Sequence, residues 1–350
     1  MSTDAPLTVR AIDVGYGHIK YTTGRHRNSI ITQAIPSLSP VVSGANGAFH
    51  DALMQERDTF RVPVCNHFHE VGRDASLVLG VNQITEVLDN DFPLSDHYAA
   101  RLLGAINYMM PLPNDRIDVL VLGLPLTTFA RHREALARRF EGEIVIDAKA
   151  RKVTVGSCHV YPQPLGSYMA YLATRPVEKN PQVLCIDPGY NTFDWFVCQG
   201  MSALPACSGA VKRGMGAVMR AIADEMIRAN GFGEDPHELI RLIDQSLMNR
   251  NPLKVYGREY RLEDYIRAGD AVIEEAAQAV RDSVGDGKSI SAIVIAGGGA
   301  SMYEASIRGK CPHHELTVLS KPAHANARGF HILGEIIAES LHRAHGHTTR

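Results

Sequence analysis

The sequence predicts an α/β protein made of two related domains. Apolar runs typical of buried strands alternate with amphipathic helical patterns in both halves of the 350-residue chain. An Asp-x-Gly turn between two strand-like runs occurs at Asp13 and again at Asp187, about half a chain apart. A chain of this length can also bury two compact cores. The repeat therefore predicts two domains that face each other with a ligand between them.

The composition is that of a globular protein and excludes several classes of function. Hydrophobic residues make up 45% and charged residues 21%, which excludes a largely disordered chain. The net charge of -2 gives no global basic field, so we expect no direct binding to nucleic acid. No apolar run reaches the length of a membrane span, and the first residues lack a signal peptide's apolar stretch, so we expect a cytoplasmic protein without membrane contact. The six cysteines form no CxxC pair, and we expect neither a disulfide framework nor a zinc site.

Strands and helices are predicted in alternation along the chain. In the first half, strands are expected at 9–14, 18–23, 29–35, 117–124, 143–147 and 152–160, and helices at 97–110, 128–140 and about 165–173. Residues 40–80 mix Gly, Pro, short apolar runs and charges, and predict a small lobe. In the second half, strands are expected at 183–187, 193–198, 290–296 and 316–319, and helices at 215–230, 236–248, 263–283 and 324–344.

The first Asp-x-Gly turn has the residues of a phosphate-binding hairpin. Two glycines allow a tight turn that presents bare main-chain N–H groups, which suit a phosphate. Lys20 on the returning strand adds a positive charge, and Asp13 at the end of a buried strand is placed to hold a hydrated Mg²⁺. A glycine-rich hairpin with a surface lysine is the alternative. The candidate contacts are Gly15, Tyr16, Gly17 and His18.

The second turn repeats this logic. If Asp187 faces Asp13, the two carboxylates repel each other unless a cation lies between them, and a metal-bound nucleotide supplies that cation. The hydroxyl of Thr192 is a candidate donor to a phosphate, whereas Asp194 is equally consistent with a structural role in bonding the turn. The candidate contacts are Gly189, Tyr190, Asn191 and Thr192.

Two further glycine segments are candidate sites for the rest of a nucleotide. Gly297, Gly298 and Gly299 follow a strand and precede a helix, so a base or ribose can approach the main chain. A plain strand-to-helix turn is the alternative. Gly214 opens a predicted helix and is a candidate ribose contact, although a helix N-terminus explains it equally well.

Taken in order, these segments resemble the motifs of the superfamily that holds actin, the DnaK-type chaperones and the sugar kinases. The matching segments are 13–20, 163–167, 187–194, 295–300 and 325–329. Each motif is loose, but the ordered set is specific. The short length and the segment ANARGF are most similar to bacterial and archaeal actin-like proteins of the ParM/StbA type, including the branch of PRTRC plasmid systems.

The resemblance implies an actin-like fold with a nucleotide cleft between two domains. The first domain would comprise residues 1–165 and 325–350, with the small lobe at about 40–80, and the second would comprise 166–324. The implied ligands are ATP or GTP and Mg²⁺, with Asp13 and Asp187 holding the metal through water. Gln163, which opens the first connecting helix, would orient the attacking water, so the implied catalytic residues are Gln163, Asp13 and Asp187.

The same resemblance implies an ATP hydrolase that polymerises into a homopolymeric filament and separates plasmid copies. Because the chain has no evident basic patch, such a filament needs a DNA-binding adaptor protein on the plasmid. Two alternatives stay open: a small-molecule kinase on the same fold, with Asp194 as a candidate base, and a scaffold that binds nucleotide without hydrolysing it.

Overall fold

The chain folds into two compact units, each with its own central sheet and core. The computed structural model describes residues 7–42, 56–78, 90–175, 181–233 and 235–347. One unit comprises Met1–Val177 with His324–Arg350, and the other comprises Glu178–Ala323. The α/β class predicted from the alternating pattern is confirmed.

The first unit contains a six-stranded sheet and a smaller three-stranded sheet. Its strands are β1 (Val9–Val14), β2 (His18–His26), β3 (Ser29–Pro36), β4 (Val41–Val42), β5 (Thr59–Val64), β6 (His67–Gly72), β7 (Arg116–Leu124), β8 (Gly142–Val145) and β9 (Lys152–Pro162). The large sheet has the order β3-β2-β1-β7-β9-β8, in which β1, β7 and β9 are parallel. The small sheet, β4-β6-β5, lies within the region predicted as a small lobe.

Among the described residues of the first unit, helices α1 (Asp96–Tyr108), α2 (Leu126–Phe140) and α3 (Gln163–Leu172) follow in sequence. The hydroxyl of Ser95 caps α1 by accepting a hydrogen bond from the N–H of Tyr98 at 3.1 Å. Leu102 and Ile106 of this helix are fully buried in the core beneath the sheet. Because β1, β7 and β9 are parallel, their carboxyl ends at residues 14, 124 and 162 lie at the same edge of the sheet.

The second unit has a five-stranded path, β12-β11-β10-β16-β17, with β13 also paired to β11. Its strands are β10 (Gln182–Pro188), β11 (Phe193–Gln199), β12 (Ser202–Ala203), β13 (Gly209–Val211), β14 (Leu253–Val255), β15 (Arg258–Tyr260), β16 (Ala292–Ile295) and β17 (Leu316–Val318). Its helices are α4 (Met215–Asn230), α5 (His237–Asn249), α6 (Asp270–Val284) and α7 (Ala300–Lys310), and α8 (Ala325–His347) belongs to the first unit.

The two central sheets share one topology. β1 and β10 each form an antiparallel hairpin with the next strand. Each also pairs in parallel with a strand that follows a long crossover, β7 in one unit and β16 in the other. Those strands pair in parallel with β9 and β17. This is the repeat that the two Asp-x-Gly turns predict.

Helices α3 and α8 cross at a pair of glycines. A methyl group on Gly329 would coincide with the carbonyl oxygen of Gly166, and one on Gly166 would come within 2.6 Å of the carbonyl oxygen of Asn326. Further along α8, a methyl on Gly334 would lie 2.5 Å from Val9 of β1. α3 therefore packs within the first unit, and the units divide after residue 177, whereas the sequence places the division at 165.

Two local predictions differ from the structure. The helix expected at 263–283 begins at Asp270, because Leu262–Asp264 and Ile266–Gly269 form separate 3-10 turns. The hairpin of β14 and β15 was not predicted, since three-residue strands carry little periodicity. Within the described ranges, no helix combines the length and the apolar character needed to cross a bilayer. The six cysteines all fall in these ranges and have free thiols.

Candidate functional site

The turn between β1 and β2 brings a carboxylate and an ammonium group together. Asp13 and Lys20 are opposite each other in the hairpin, and the N–H of Gly15 donates to the carbonyl oxygen of Asp13 at 3.1 Å. A methyl on Gly15 would lie 2.8 Å from the carbonyl oxygen of His18 and 3.3 Å from Lys20 Nζ. The lysine charge thus lies beside a turn that only glycine fits, which is a suitable arrangement for a phosphate.

The Asp13 carboxylate is held by two side-chain amides. It is 4% exposed, and its Oδ1 accepts a hydrogen bond from Gln163 Nε2 at 2.7 Å. Burial raises the pKa of Asp13, while Lys20 and hydrogen bonds from Gln163 and Asn326 act in the opposite direction. Segment 325–329 stood out in the sequence, but Asn326 itself was not assigned a role there.

Gln163 begins α3 directly after β9, which places its amide at the carboxyl edge of the sheet. Its Nε2 donates to Asp13, so Oε1 is the end of the amide that can accept a hydrogen bond from a water molecule. The predicted water-orienting residue and the predicted metal-binding carboxylate are therefore in direct contact.

The other three candidate residues of the first turn differ in their surroundings. The ring of Tyr16 packs against Phe92, with 5.2 Å between ring centroids, so its side chain takes part in packing within the first unit. Burial lowers the pKa of His18 to about 4, with smaller contributions from Lys20 and His324. His18 is therefore neutral at pH 7. Gly17 uses its carbonyl oxygen to accept from the N–H of Ser37 at 2.9 Å.

In the second unit, the triple-glycine segment lies against the second Asp-x-Gly turn. Asp187 is 6% exposed, and a methyl on Gly297, whose φ is +76°, would collide with its Oδ1. The N–H of Gly299 donates to the carbonyl oxygen of Pro188 at 2.9 Å. A methyl on Gly298 would meet no atom within 4 Å, so this residue borders open space that a base or ribose can approach.

The N-terminus of α4 joins the same cluster. The N–H groups of Met215 and Gly216 donate to the carbonyl oxygens of Gly189 and Tyr190 at 2.9 and 2.7 Å. A methyl on Gly214 would come within 2.6 Å of the carbonyl oxygen of Tyr190. Three segments that the sequence selects separately are thus in contact: 187–192, 214–216 and 297–299.

Thr192 and Asp194 bond to each other at the base of this turn. Thr192 Oγ1 donates to Asp194 Oδ2 at 2.6 Å, and both side chains are buried. The hydroxyl proton is therefore directed to Asp194 rather than to a phosphate. This geometry favours the structural role of Asp194 over a role as a base, because a base must reach a substrate hydroxyl. Asn191 lies half-buried in the turn itself.

These sites suit a hydrated, hard cation. In the described ranges, no three His, Cys, Asp or Glu side chains come together as a metal-binding group. A metal here would consequently be held by isolated carboxylates, water and a ligand's own oxygens, as Mg²⁺ commonly is. The buried carboxylates of Asp13 and Asp187, each beside a glycine turn, fit that requirement.

The duplicated sheets and their two glycine turns define an α/β protein with an actin-like fold. Residues 11–166 match the family described as the N-terminal domain of actin-like proteins. Residues 185–309 match the C-terminal domain of the archaeal, MreB-like actin homologue. The chain belongs to the actin-like proteins.

Solved structures with this fold cover nearly the whole chain. Apo ParM of pSK41 is 19% identical over 97% of this chain and 100% of its own, with a TM-score of 0.68. The archaeal actin homologue Ta0583, in complex with ADP, is 17% identical; the match covers 94% of this chain and 100% of Ta0583, with a TM-score of 0.73. ParM from a 15-stranded filament of Clostridium botulinum is 19% identical; the match covers 94% of this chain and 100% of that ParM, with a TM-score of 0.70. No curated protein matches the chain.

Proposed function

We propose that this chain is an ATP hydrolase of the ParM type that polymerises into filaments and segregates plasmid DNA. The observation that carries the proposal is the contact between Gln163 and Asp13 beside the Lys20 ammonium and a glycine turn. The similar solved structures include a ParM filament and an actin homologue with ADP, which supports both assembly and nucleotide binding.

Each loop would supply main-chain N–H groups to the phosphates. Lys20 would neutralise charge on the terminal phosphates, and the open main chain at Gly298 would adjoin the base or ribose. Asp13 and Asp187 would bind one Mg²⁺ through water, and that juxtaposition stays a prediction. When bound, Mg²⁺ supplies positive charge to the phosphate oxygens.

Gln163 would act by orientation. With Nε2 bonded to Asp13, its Oε1 is fixed as an acceptor that can align a water molecule for attack on the terminal phosphate. A neutral amide removes no proton, so this assignment implies slow hydrolysis. Slow hydrolysis suits a filament that must assemble before its nucleotide is hydrolysed.

The chain would act on DNA through a partner. The arginines of α2 have acidic neighbours, since Arg131 lies 3.3 Å from Asp91 and Arg133 lies 3.8 Å from Glu134. We therefore assign plasmid binding to a DNA-binding adaptor protein and assign self-association to this chain. Such a filament would operate in the cytoplasm.

The test measures phosphate release and light scattering with Mg²⁺-ATP and Mg²⁺-ADP, with electron microscopy of both samples. We expect filaments with ATP, and about 100-fold slower phosphate release in Gln163→Ala at saturating Mg²⁺-ATP. Gln278→Ala is the matched control, because that exposed amide also donates to a carboxylate, Asp282 Oδ1, at 2.7 Å.

The outcomes separate the alternatives. Turnover that depends on an added sugar or other hydroxyl substrate, without assembly, would identify a small-molecule kinase. Nucleotide binding without phosphate release in the wild type would identify a non-hydrolysing scaffold. Unchanged turnover in Gln163→Ala would remove the role given to this amide.

A further inference from the structure

We propose that Ser167 and Asn326 form a positioning pair that orients the Asp13 carboxylate toward a nucleotide-bound divalent cation. The inference rests on the proposed function, because it assigns a task to residues behind the same carboxylate. Neither side chain needs to contact the nucleotide to perform it.

Both side chains of the pair are buried, and their hydrogen bonds fix one orientation of the Asn326 amide. Asn326, near the start of α8, is 6% exposed, and Ser167 of α3 is fully buried. Ser167 Oγ donates to Asn326 Oδ1 at 2.5 Å. The other end of the amide, Nδ2, donates to the Asp13 carboxylate. A flipped amide would place its oxygen against a carboxylate, so the charge on Asp13 and the hydroxyl of Ser167 select the same orientation.

The helix crossing makes this contact possible. Gly166 immediately precedes Ser167, and Gly329 is one turn after Asn326. The main chains of α3 and α8 touch at these glycines, which brings the serine hydroxyl within reach of the amide. The Asp13 carboxylate therefore receives amide donors from the first turns of two helices that cross tightly.

Two amide donors restrict the rotation of a carboxylate better than one. Gln163 bonds to Oδ1, and Asn326 supplies the second donor. Outer partners of metal-binding groups typically change metal affinity or activity by about 10–100-fold when they are removed. Asn326 should therefore affect the contribution of the metal to nucleotide binding and leave the metal-free affinity unchanged.

The experiment measures ATP affinity of the full chain by calorimetry, once in EDTA and once in saturating Mg²⁺. We expect Asn326→Ala to reduce the Mg²⁺-dependent gain in ATP affinity by about tenfold, with the EDTA affinity unchanged. Ser167→Ala should change the gain in the same direction, by a smaller factor. The double variant should equal Asn326→Ala alone, because the serine acts through the asparagine.

Thr22→Val is the matched control. Thr22 is also fully buried and bonds α8, since its Oγ1 lies 2.9 Å from His331 Nδ1. Thr22 Oγ1 also accepts a hydrogen bond from the N–H of Ala11 at 2.9 Å. The variant therefore loses two buried hydrogen bonds, neither of them to Asp13 or to the proposed pair, so it should lower the melting temperature and leave the Mg²⁺-dependent gain intact.

The outcomes are distinguishable. A wild type that binds ATP equally with and without Mg²⁺, or not at all, contradicts the proposed function. A full Mg²⁺-dependent gain in Asn326→Ala overturns the positioning pair alone, as does an equal loss of affinity in EDTA and in Mg²⁺. Ser167→Ala provides the same test independently if Asn326→Ala does not fold.

Discussion

Gly329→Ala tests the contact between helices α3 and α8 in the first unit. The added methyl would coincide with the carbonyl oxygen of Gly166, an atom fixed in the main chain of α3. A flexible side chain could rotate away from such a methyl, but a helix backbone cannot, so α3 and α8 would have to separate.

The magnitude follows from two opposing contributions. Added atoms in a well-packed site cost about 1–3 kcal/mol, and an obstacle made of main chain places this site near the upper value. Alanine in place of glycine inside a helix contributes about 1 kcal/mol in the other direction. The expected net loss is about 2 kcal/mol, which lowers the melting temperature of a unit of this size by about 4–8 °C.

Thermal unfolding followed by circular dichroism checks this value, with the urea midpoint as a second measure. Gly309→Ala is the control, because this glycine of α7 would meet no atom within 4 Å and the change should stabilise the chain by up to about 1 kcal/mol. If Gly329→Ala stabilises the chain as the control does, the helices are not in contact at this point and the reasoning is refuted.

Three further outcomes follow from buried groups. Gly297→Ala should lower the urea midpoint and weaken ATP binding, because its φ of +76° strains any other residue, whereas Gly298→Ala should preserve both; equal effects would contradict the argument. Burial lowers the pKa of His331 to about 4, so the folded chain keeps it neutral while the unfolded chain protonates near 6.5. Its contribution to stability is present above pH 6.5 and is lost as the pH falls toward 4, with a slope of up to about 1.4 kcal/mol per pH unit. His331→Gln should make the urea midpoint depend less on pH across this window. An unchanged dependence on pH would mean that other groups cause it. Thr192→Val should cost about 1–3 kcal/mol in urea unfolding, because it removes a hydroxyl donor from the buried Asp194 carboxylate, and an unchanged midpoint would count against that bond.

Much of the architecture could be predicted because its signals are local. An acidic residue, a glycine turn and a returning apolar run specify a hairpin within about ten residues, and both hairpins are present as predicted. The parallel strands β7 and β16, of nine and four residues, were equally visible as apolar runs. The start of α6 could not be predicted, because the helical sequence pattern continues through the preceding 3-10 turns. The second of these turns ends at Gly269, which packs against Val218.

The site could be predicted only in part, because some of its contacts depend on distant segments. Asp13 and Gln163 were selected by motif, and their hydrogen bond joins residues 150 positions apart. Asn326 was missed, since its partner Ser167 is 159 positions away and neither residue type alone indicates a site. Tyr16 was assigned to the ligand, but the position of Phe92, which holds its ring, could not be read from the loop.

The return of α8 to the first unit has a consequence for synthesis of the protein on the ribosome. The strands from β1 to β9 are made early, yet the helix that covers Val9 and Val121 is made only after the whole second unit. During that interval, Val9 and Val121 lack the helix that covers them in the native protein. Completion of the N-terminal core must therefore wait until residues 325–347 have emerged, and a cell that makes this protein has to shield the unfinished sheet from aggregation in the meantime.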